Sequence, residues 1–442
     1  MAKMNDIRFT KTNGGMGRKA ANEDPISGLL MYLPELSVDD LTSNDNGHTP
    51  FNKIVAPDGT DHHDLYVVKL RYPEELENLG AGFEEQELST EYDSVDNTSL
   101  QYMAKAASNA LVYHVQEFFR MNPEGTLYLG IKCEGDTIVD KDIAAIQNYA
   151  GGTLRQCGVF TPKVTDSITK YQEQCAALEE QHEPLSLIVT TSGCKVEVTD
   201  PQNDETEISV PVEAEFDLTT SHVLAGRSNV SFLVGCELDG VRVQQLGQYA
   251  YYGCIGTCLG AVSKAAVHEC IAWVQNFPLG LKVPGLFTDQ IISEVRMEDQ
   301  ELINDNRYIF VRTHVGNADN FFNDSHTLDV DTSDYAFIEN VRTIDKACRC
   351  VRANLLPYLN SPLKVDAETG KLDAPMVAFL ETTAGKALED MEKAGELSGY
   401  RAEIDPEQNV LATSEVEVII KNVPMGVMRK VHVKIGFTSS LS

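Results

Sequence analysis

A glycine-rich segment near the N-terminus has the spacing of a nucleotide-binding loop. Residues 15–20 (GMGRKA) fit the pattern G-x-G-x-x-A, in which backbone amides at the start of a helix hold a pyrophosphate. That chemistry needs a helix directly after the loop, and Asn22, Asp24 and Pro25 interrupt one at once. The segment therefore favours a turn in an extended arm. An α/β enzyme or ligand-binding protein that uses the Gly14–Gly17 loop remains the alternative.

Two acidic segments contain the residue types that bind metal ions. Residues 61–64 (DHHD) place two histidines between aspartates, but adjacent side chains point apart in a strand, so a solvated loop is favoured. Residues 329–333 hold ligand types at positions 1, 3 and 5 of a calcium loop. Asp334 stands where that loop needs glycine, and Asn340 where it needs the bidentate glutamate. We expect no metal site at either segment.

Side chains that could transfer protons are sparse. His114 and Glu117 lie at i, i+3 on a predicted helix beside Phe118 and Phe119, a spacing that is common in structural contacts. The chain has no Gly-x-Ser-x-Gly, His-Glu-x-x-His or Gly-x-x-x-x-Gly-Lys pattern. We therefore predict no catalytic residues and no cofactor, and a protein that is not an enzyme.

Composition excludes several classes of protein. The 442 residues carry a formal net charge of −31, which argues against direct binding of nucleic acid, because phosphate binding needs clustered Lys and Arg. No apolar run reaches the roughly 18–20 residues that span a membrane, and residues 1–7 (MAKMNDI) do not resemble a secretory signal. The ten cysteines include no Cys-x-x-Cys pair. They indicate reduced core residues of a protein made in a cytoplasm.

Helical and strand-like patterns alternate from residue 99 onward, which is typical of a mixed sheet with helices on its faces. The predicted class is α/β (α+β), with extended N- and C-terminal strand arms. Predicted helices span 100–121, 140–156, 167–181, 251–274, 335–356 and 374–394. Predicted strands span 26–33, 65–70, 126–132, 158–161, 185–190, 230–236, 306–313 and 400–404.

Changes of pattern along the chain divide it into four parts. We predict an N-terminal extended arm over residues 1–24 and an α/β body over 25–290, with an inserted β-hairpin near 193–228. A C-terminal α/β core follows over 291–415, and a C-terminal strand arm over 416–442.

The C-terminal arm carries the clearest strand pattern. Two period-two runs flank a turn at residues 423–426 (VPMG), and Lys430, His432 and Lys434 share one face of the second run. Both ends of the chain are basic on an acidic body, which indicates ends that pair with the sheets of neighbouring subunits. The predicted inter-subunit residues are Ile7, Phe9, Val416, Val418, Ile420, Val431, Val433, Ile435, Lys430 and Lys434.

In its order of segments, the chain resembles the sheath proteins of contractile phage tails and contractile injection systems. The resemblance is strongest over the last third. The segments that carry it are 13–18 (NGGMGR), 26–30 (ISGLL), 272–279 (AWVQNFPL), 340–344 (NVRTI), 395–400 (GELSGY) and 416–437.

The resemblance implies a structural subunit. It implies a helical homo-oligomer of stacked hexameric rings around an inner tail tube protein, with baseplate and tail terminator proteins as further partners. Contraction would drive the tube through a target envelope, and terminal strands would add to neighbouring sheets. It also places the helix over 374–394 near the tube, with Lys386, Glu389, Asp390 and Lys393 as tube-facing residues. The kind of particle stays open, as does another self-assembling protein such as a capsid or tube component.

Overall fold

The computed structural model describes residues 23–33, 36, 41, 51–54, 65–77, 98–133, 138, 140–161, 164, 167–191, 217–238, 253–288 and 290–438. Its strands are β1 (Ile26–Tyr32), β2 (Asn52–Lys53), β3 (Leu65–Leu70), β4 (Thr126–Lys132), β5 (Gln156–Phe160), β6 (Ser186–Thr190), β7 (Val230–Leu233), β8 (Gly235–Glu237), β9 (Pro284–Leu286), β10 (Gln290–Ile291), β11 (Tyr308–Ile309), β12 (Val311–Thr313), β13 (Asn320–Phe322), β14 (Leu397–Glu403) and β15 (Ile419–Pro424). Its helices are α1 (Glu74–Glu77), α2 (Thr98–Met121), α3 (Asp140–Tyr149), α4 (Ile168–Glu180), α5 (Ile255–Lys264), α6 (Met297–Asp305), α7 (Ile338–Leu355), α8 (Ala374–Lys393) and α9 (Val410–Thr413).

A large mixed sheet forms the centre of the chain, in the order β11-β7-β6-β5-β1-β4-β3-β2. The six strands from β11 to β4 are parallel, and β3 and β2 continue the sheet antiparallel at one edge. Every residue of β5 and β6 is buried, as expected where helices cover both faces of parallel strands.

Helices cover both faces of this sheet. On one face, α2 and α5 contribute Leu111, Phe118 and Leu259 to a core that also contains Leu29 of β1. On the other face, α3 and α4 bury their apolar stripes against Leu30 and its neighbours. Consecutive residues of β1 thus point into opposite cores, as the pleat of a strand requires. The predicted mixed sheet covered by helices is confirmed.

A smaller C-terminal unit packs α7 and α8 against the β14–β15 pair. Ala347 and Val351 of α7 meet Ala384 and Leu388 of α8 in its core. The first residue of α7, Ile338, belongs instead to the core of the large sheet. Helix α7 therefore joins the two cores.

Two predicted helices are too long. The structure ends the helix predicted over 140–156 at Tyr149, where Gly151 and Gly152 adopt positive φ angles of 66° and 72°. The helix predicted over 251–274 spans only α5, because Ala265 is extended. The carbonyls that would continue it accept hydrogen bonds from α7 instead, since Arg342 binds the Ala265 carbonyl at 3.1 Å.

Several sequence predictions lie outside the described residues. They include the N-terminal arm before residue 23, with Ile7, Phe9 and the Gly14–Gly17 loop, and the DHHD segment at 61–64. The hairpin predicted near 193–228 is described only from residue 217, and residues 217–229 form turns there.

Helices α2 and α5 pack unusually close, and two glycines of α5 make this possible. A Cβ atom on Gly256 would lie 2.2 Å from the carbonyl oxygen of His114. A Cβ atom on Gly260 would lie 2.7 Å from the carbonyl oxygen of Phe118. Because both obstacles are backbone atoms, a larger residue would force the helices apart.

We expect Gly256→Ala and Gly260→Ala each to lower the free energy of unfolding by about 1–3 kcal/mol, the usual cost of overpacking. The loss should appear although alanine favours helices over glycine by about 1 kcal/mol. Urea unfolding followed by circular dichroism measures it. Gly399→Ala is the control, because nothing lies within 4 Å of its new Cβ. Equal stability of all three variants would contradict the close approach.

Candidate functional site: the C-terminal strand and tail

Strand β15 forms a two-stranded antiparallel sheet with β14, in a register that places Tyr400 opposite Asn422. Among the described residues, no further strand pairs with either outer edge of this sheet. A sheet edge exposes backbone amides and carbonyls that can pair with another chain. The β14–β15 pair is therefore available for strand addition.

The tail, residues 425–438, forms no strand in the single chain. The sequence predicted a second strand here, folded back after a turn at 423–426, and this prediction is wrong for the isolated subunit. The first run pairs with β14 rather than with the tail, and the tail lies outside the β14–β15 sheet. Its alternating apolar side chains are exposed, with Ile435 at 95% and Phe437 at 111%.

The predicted interface residues of the C-terminal arm divide into two groups. Val416, Val418 and Ile420 are half-buried and pack against the chain's own small C-terminal cores. The five in the tail are exposed to solvent: Val431, Val433, Ile435, Lys430 and Lys434. Only the tail group is free of contacts with its own core, so only this group can offer a complete strand to another molecule.

Arg429 fastens the start of the tail to the body. Its guanidinium lies 2.9 Å from Asp324 Oδ2 and 2.5 Å from Glu339 Oε1, and its Cζ is 3.5 Å from the centre of the Phe337 ring. Burial raises the pKa of the Glu339 carboxyl, and Arg429 is the largest opposing influence. Multiple charge-assisted contacts give this attachment a defined direction. We call the group of Arg429, Asp324, Glu339 and Phe337 the tail clamp.

A second set of ion pairs fastens the start of β1, just after the N-terminal arm. Asp24 lies 2.7 Å from Lys346 Nζ and 3.4 Å from Arg349 Nη2, both on α7. Glu23 pairs with Arg155, and Lys346 also binds Glu396 at 2.6 Å. We call the pairs of Asp24 with α7 the N-terminal clamp.

Neither clamp was predicted from the sequence, although the position of one charged residue indicated the tail clamp. Arg429 occupies the apolar row of the tail, between Val427 and Val431. A single charge in an apolar row indicates a specific partner for that charge. The roles of Asp24 and Glu339 depend on contacts across 90 and more residues of sequence, and no local pattern reports them.

The predicted tube-facing residues lie along one side of α8. Lys386, Asp390 and Lys393 are exposed and Glu389 is half-buried. Lys393 Nζ and Glu389 Oε1 form an i, i+4 ion pair at 2.5 Å. The opposite side of the helix, with Leu388, is buried. The helix thus presents a surface of mixed charge to solvent.

The polar clusters considered for chemistry have structural partners. Glu117 accepts hydrogen bonds from Arg120 and from Thr257, the latter at 3.0 Å. Asp329, in the segment with calcium-loop spacing, accepts from the Gly226 amide at 2.9 Å and from the Ser333 hydroxyl at 2.7 Å. Over the described ranges, no three His, Cys, Asp or Glu side chains are arranged to hold a metal ion. Nor does any helix there have the length and apolar character to cross a membrane.

A cleft of about 530 Å³ lies between the end of α4, helix α7 and β15. Asp345 lines it from α7, Glu179 and His182 from the α4 side, and Ile420 from β15. Burial raises the pKa of Asp345 to about 7, opposed by Arg349, Arg155 and Arg342 and reinforced by Glu179. A carboxyl that keeps its proton up to neutral pH makes the stability of this junction depend on pH.

We expect Asp345→Asn to stabilise the chain more at pH 8 than at pH 5.5. An unfolded aspartate ionises near pH 3.9, so the parent loses stability as pH rises from there through about 7. The asparagine side chain does not ionise, so the variant does not lose this stability. Its free energy of unfolding relative to the parent should rise by about 2 kcal/mol from pH 5.5 to pH 8.

Urea unfolding at both pH values measures this difference. Asp366→Asn is the matched control, because hydrogen bonds from Thr369 and Glu368 lower the pKa of that exposed carboxyl and it stays ionised over the range. Parallel pH profiles for the parent and Asp345→Asn would contradict the assignment.

Comparison with known proteins connects this site to a family and a fold. Residues 89–326 match the family model described as DUF2586, N-terminal domain, and residues 334–442 match DUF2586, C-terminal domain. No curated protein matches the sequence.

Three solved structures share the fold over the full chain. The helical sheath of the anti-feeding prophage (AFP) in its contracted state has 13% identity and a TM-score of 0.57, with 100% of both chains covered. A chain of the AFP baseplate has 13% identity and a TM-score of 0.52, also with 100% of both covered. The contracted sheath complex of the extracellular contractile injection system PVC has 12% identity and a TM-score of 0.52, covering 100% of this chain and 99% of the other. The chain belongs to the DUF2586 family, and it has the fold seen in these contractile sheath structures.

Proposed function

We propose that the chain is the structural subunit of a contractile sheath. It polymerises as a helical tube of stacked hexameric rings around an inner tail tube protein, and it contracts to drive that tube through a target envelope. The observation that carries the proposal is the full-length likeness to the helical sheath of AFP in its contracted state. The exposed, strand-forming tail supplies a means of polymerisation.

Subunits associate by strand addition. Val416, Val418 and Ile420 hold the β14–β15 pair against its own core, which leaves the sheet edges for arms of neighbouring subunits. Val431, Val433 and Ile435, with Lys430 and Lys434 between them, form the strand that a neighbour receives. Ile7 and Phe9 of the N-terminal arm act in the same way. Backbone pairing gives the affinity, and alternate side chains give the register.

Charge favours this association. The chain has a net charge of −31, while Lys430, His432 and Lys434 leave a local excess of positive charge on the exposed tail. Each exposed ion pair between subunits contributes only about 0–1 kcal/mol. Strand pairing therefore dominates, and electrostatic attraction guides the tail to an acidic neighbour.

The remaining partners follow from the same assembly. The tube contacts Lys386, Glu389, Asp390 and Lys393 on α8, and the ends of the sheath bind baseplate and tail terminator proteins. The subunit is made in a bacterial cytoplasm and joins a virion tail or injection particle. It takes no cofactor, does not bind nucleic acid directly and does not insert into a membrane. It works by mechanical rearrangement rather than by catalysis.

We expect the purified chain to form tubes that are visible by negative-stain microscopy, and deletion of residues 431–442 to abolish them. This deletion keeps Arg429 and β15, so the variant should remain folded with an unchanged urea midpoint. Two substitution pairs separate backbone pairing from side-chain contact. Val433→Pro with Ile435→Pro removes two amides and should prevent tubes. Val433→Thr with Ile435→Thr keeps the amides and strand propensity and should permit them.

Tubes from the deletion or from the proline pair would contradict strand addition by the tail. Failure of the parent chain to form tubes, even with its tube and baseplate partners present, would contradict the sheath proposal itself.

Reversing charge on α8 should weaken the contact with the tube while sparing self-assembly. In Lys386→Glu with Lys393→Glu, repulsion replaces a set of small attractions, so less sheath should sediment with preformed tubes at low salt. Lys141→Glu with Lys170→Glu is the matched control, because it changes the charge equally at exposed positions of other helices. If both double variants bind tubes as the parent does, α8 is not the tube contact.

A further inference from the structure

Each clamp includes a charged partner on the same helix, α7. The tail clamp uses Glu339, in the first turn of α7, and the N-terminal clamp uses Lys346 and Arg349, two and three turns later. With a rise of about 1.5 Å per residue, the Glu339 and Lys346 positions are separated by roughly 10 Å along the helix axis. Asp24 and Arg429 are 405 residues apart in sequence. Both nevertheless contact the same helix, α7.

The charges of the two clamps have opposite polarity. The acidic residue lies near the N-terminus of α7 and receives a cation from the tail, whereas the basic residues lie further along and receive a carboxylate from the chain start. Glu339 lies in the first turn of α7, where the helix dipole favours an acidic residue. Neither chain end can therefore bind stably at the other's position.

Helix α7 is itself fixed in the body. Arg342 Nη1 donates to the Ala265 carbonyl at 3.1 Å, and the Thr343 hydroxyl donates to the Val267 carbonyl at 3.2 Å. Its second half packs on α8 through Ala347 and Val351. Helix α7 also contains no Pro or Gly, residues at which helices commonly kink, so it acts as one rigid element.

We propose that α7 is the coupling element between the two chain ends: tension on the tail at Arg429 passes through the helix to Asp24, at the start of β1. The inference rests on the proposed function, because only in a lattice are both ends pulled by neighbours. The two clamps are attached to one rigid element, so the same tension acts on both. Loosening one clamp therefore lowers the tension on the other.

A double-mutant cycle with Arg429→Gln and Asp24→Asn tests this coupling. Distant substitutions without a shared partner act independently, so in the folded monomer their effects on the unfolding equilibrium should multiply. The deletion of residues 431–442 keeps both clamps and provides that monomer. In tubes, each single variant should speed disassembly in urea by about tenfold relative to the parent. The double variant should also disassemble only about tenfold faster than the parent, whereas independent effects would give about a hundredfold.

Lys421→Gln serves as the matched control, because Lys421 pairs with Glu403 on the β14–β15 sheet and not with α7. Combined with Asp24→Asn, its effect on disassembly should multiply. Should the Gln and Asn variants fail to fold, Arg429→Lys and Asp24→Glu replace them, since they keep charge but change geometry.

Multiplying effects of Arg429→Gln and Asp24→Asn in tubes would overturn the coupling and leave the sheath proposal intact. If the parent forms no tubes, the sheath proposal fails first and the coupling fails with it.

Discussion

Backbone amides and carbonyls of a strand need partners, and this requirement governs how the chain is organised. The central sheet meets it internally, with eight strands in one hydrogen-bonded order. The C-terminal unit does not, since among the described residues β14 and β15 form a two-stranded sheet and residues 425–438 form no strand. The central sheet and its helices thus form a complete body, whereas the β14–β15 sheet has outer edges that can accept further strands. Helices α7 and α8 pack against that sheet and hold it in place.

Local sequence patterns correctly predicted strands and helices whose burial follows one regular pattern along their length. Strand β4 was placed correctly at Thr126–Lys132, because a strand buried on both faces is a short apolar run with clear ends. Helix α7 was found within three residues at its start, since its apolar stripe is long. Helix α5 was overextended, because the contacts of Arg342 and Thr343 with its following residues depend on distant parts of the chain.

The functional segment was found by pattern, but its structure was only partly foreseen. The alternation of apolar and polar residues located the C-terminal arm. This pattern does not predict which other strand the arm pairs with. The structure gives β15 to β14 and leaves the tail exposed. The clamps were missed for a related reason, since ion pairs such as Arg429 with Asp324 join elements that are 105 residues apart in sequence.

The cysteines have a consequence for the chemistry of the particle. Of the nine in the described part of the chain, seven are buried and Cys348 is exposed. Burial raises the pKa of Cys157, Cys254 and Cys258 far above neutral, and that of Cys270 to about 12. Since only a thiolate reacts quickly with oxidants and alkylating agents, these sulfurs are kinetically protected as long as the core stays closed. The rate at which these buried thiols become alkylated therefore measures how often the core of the subunit opens.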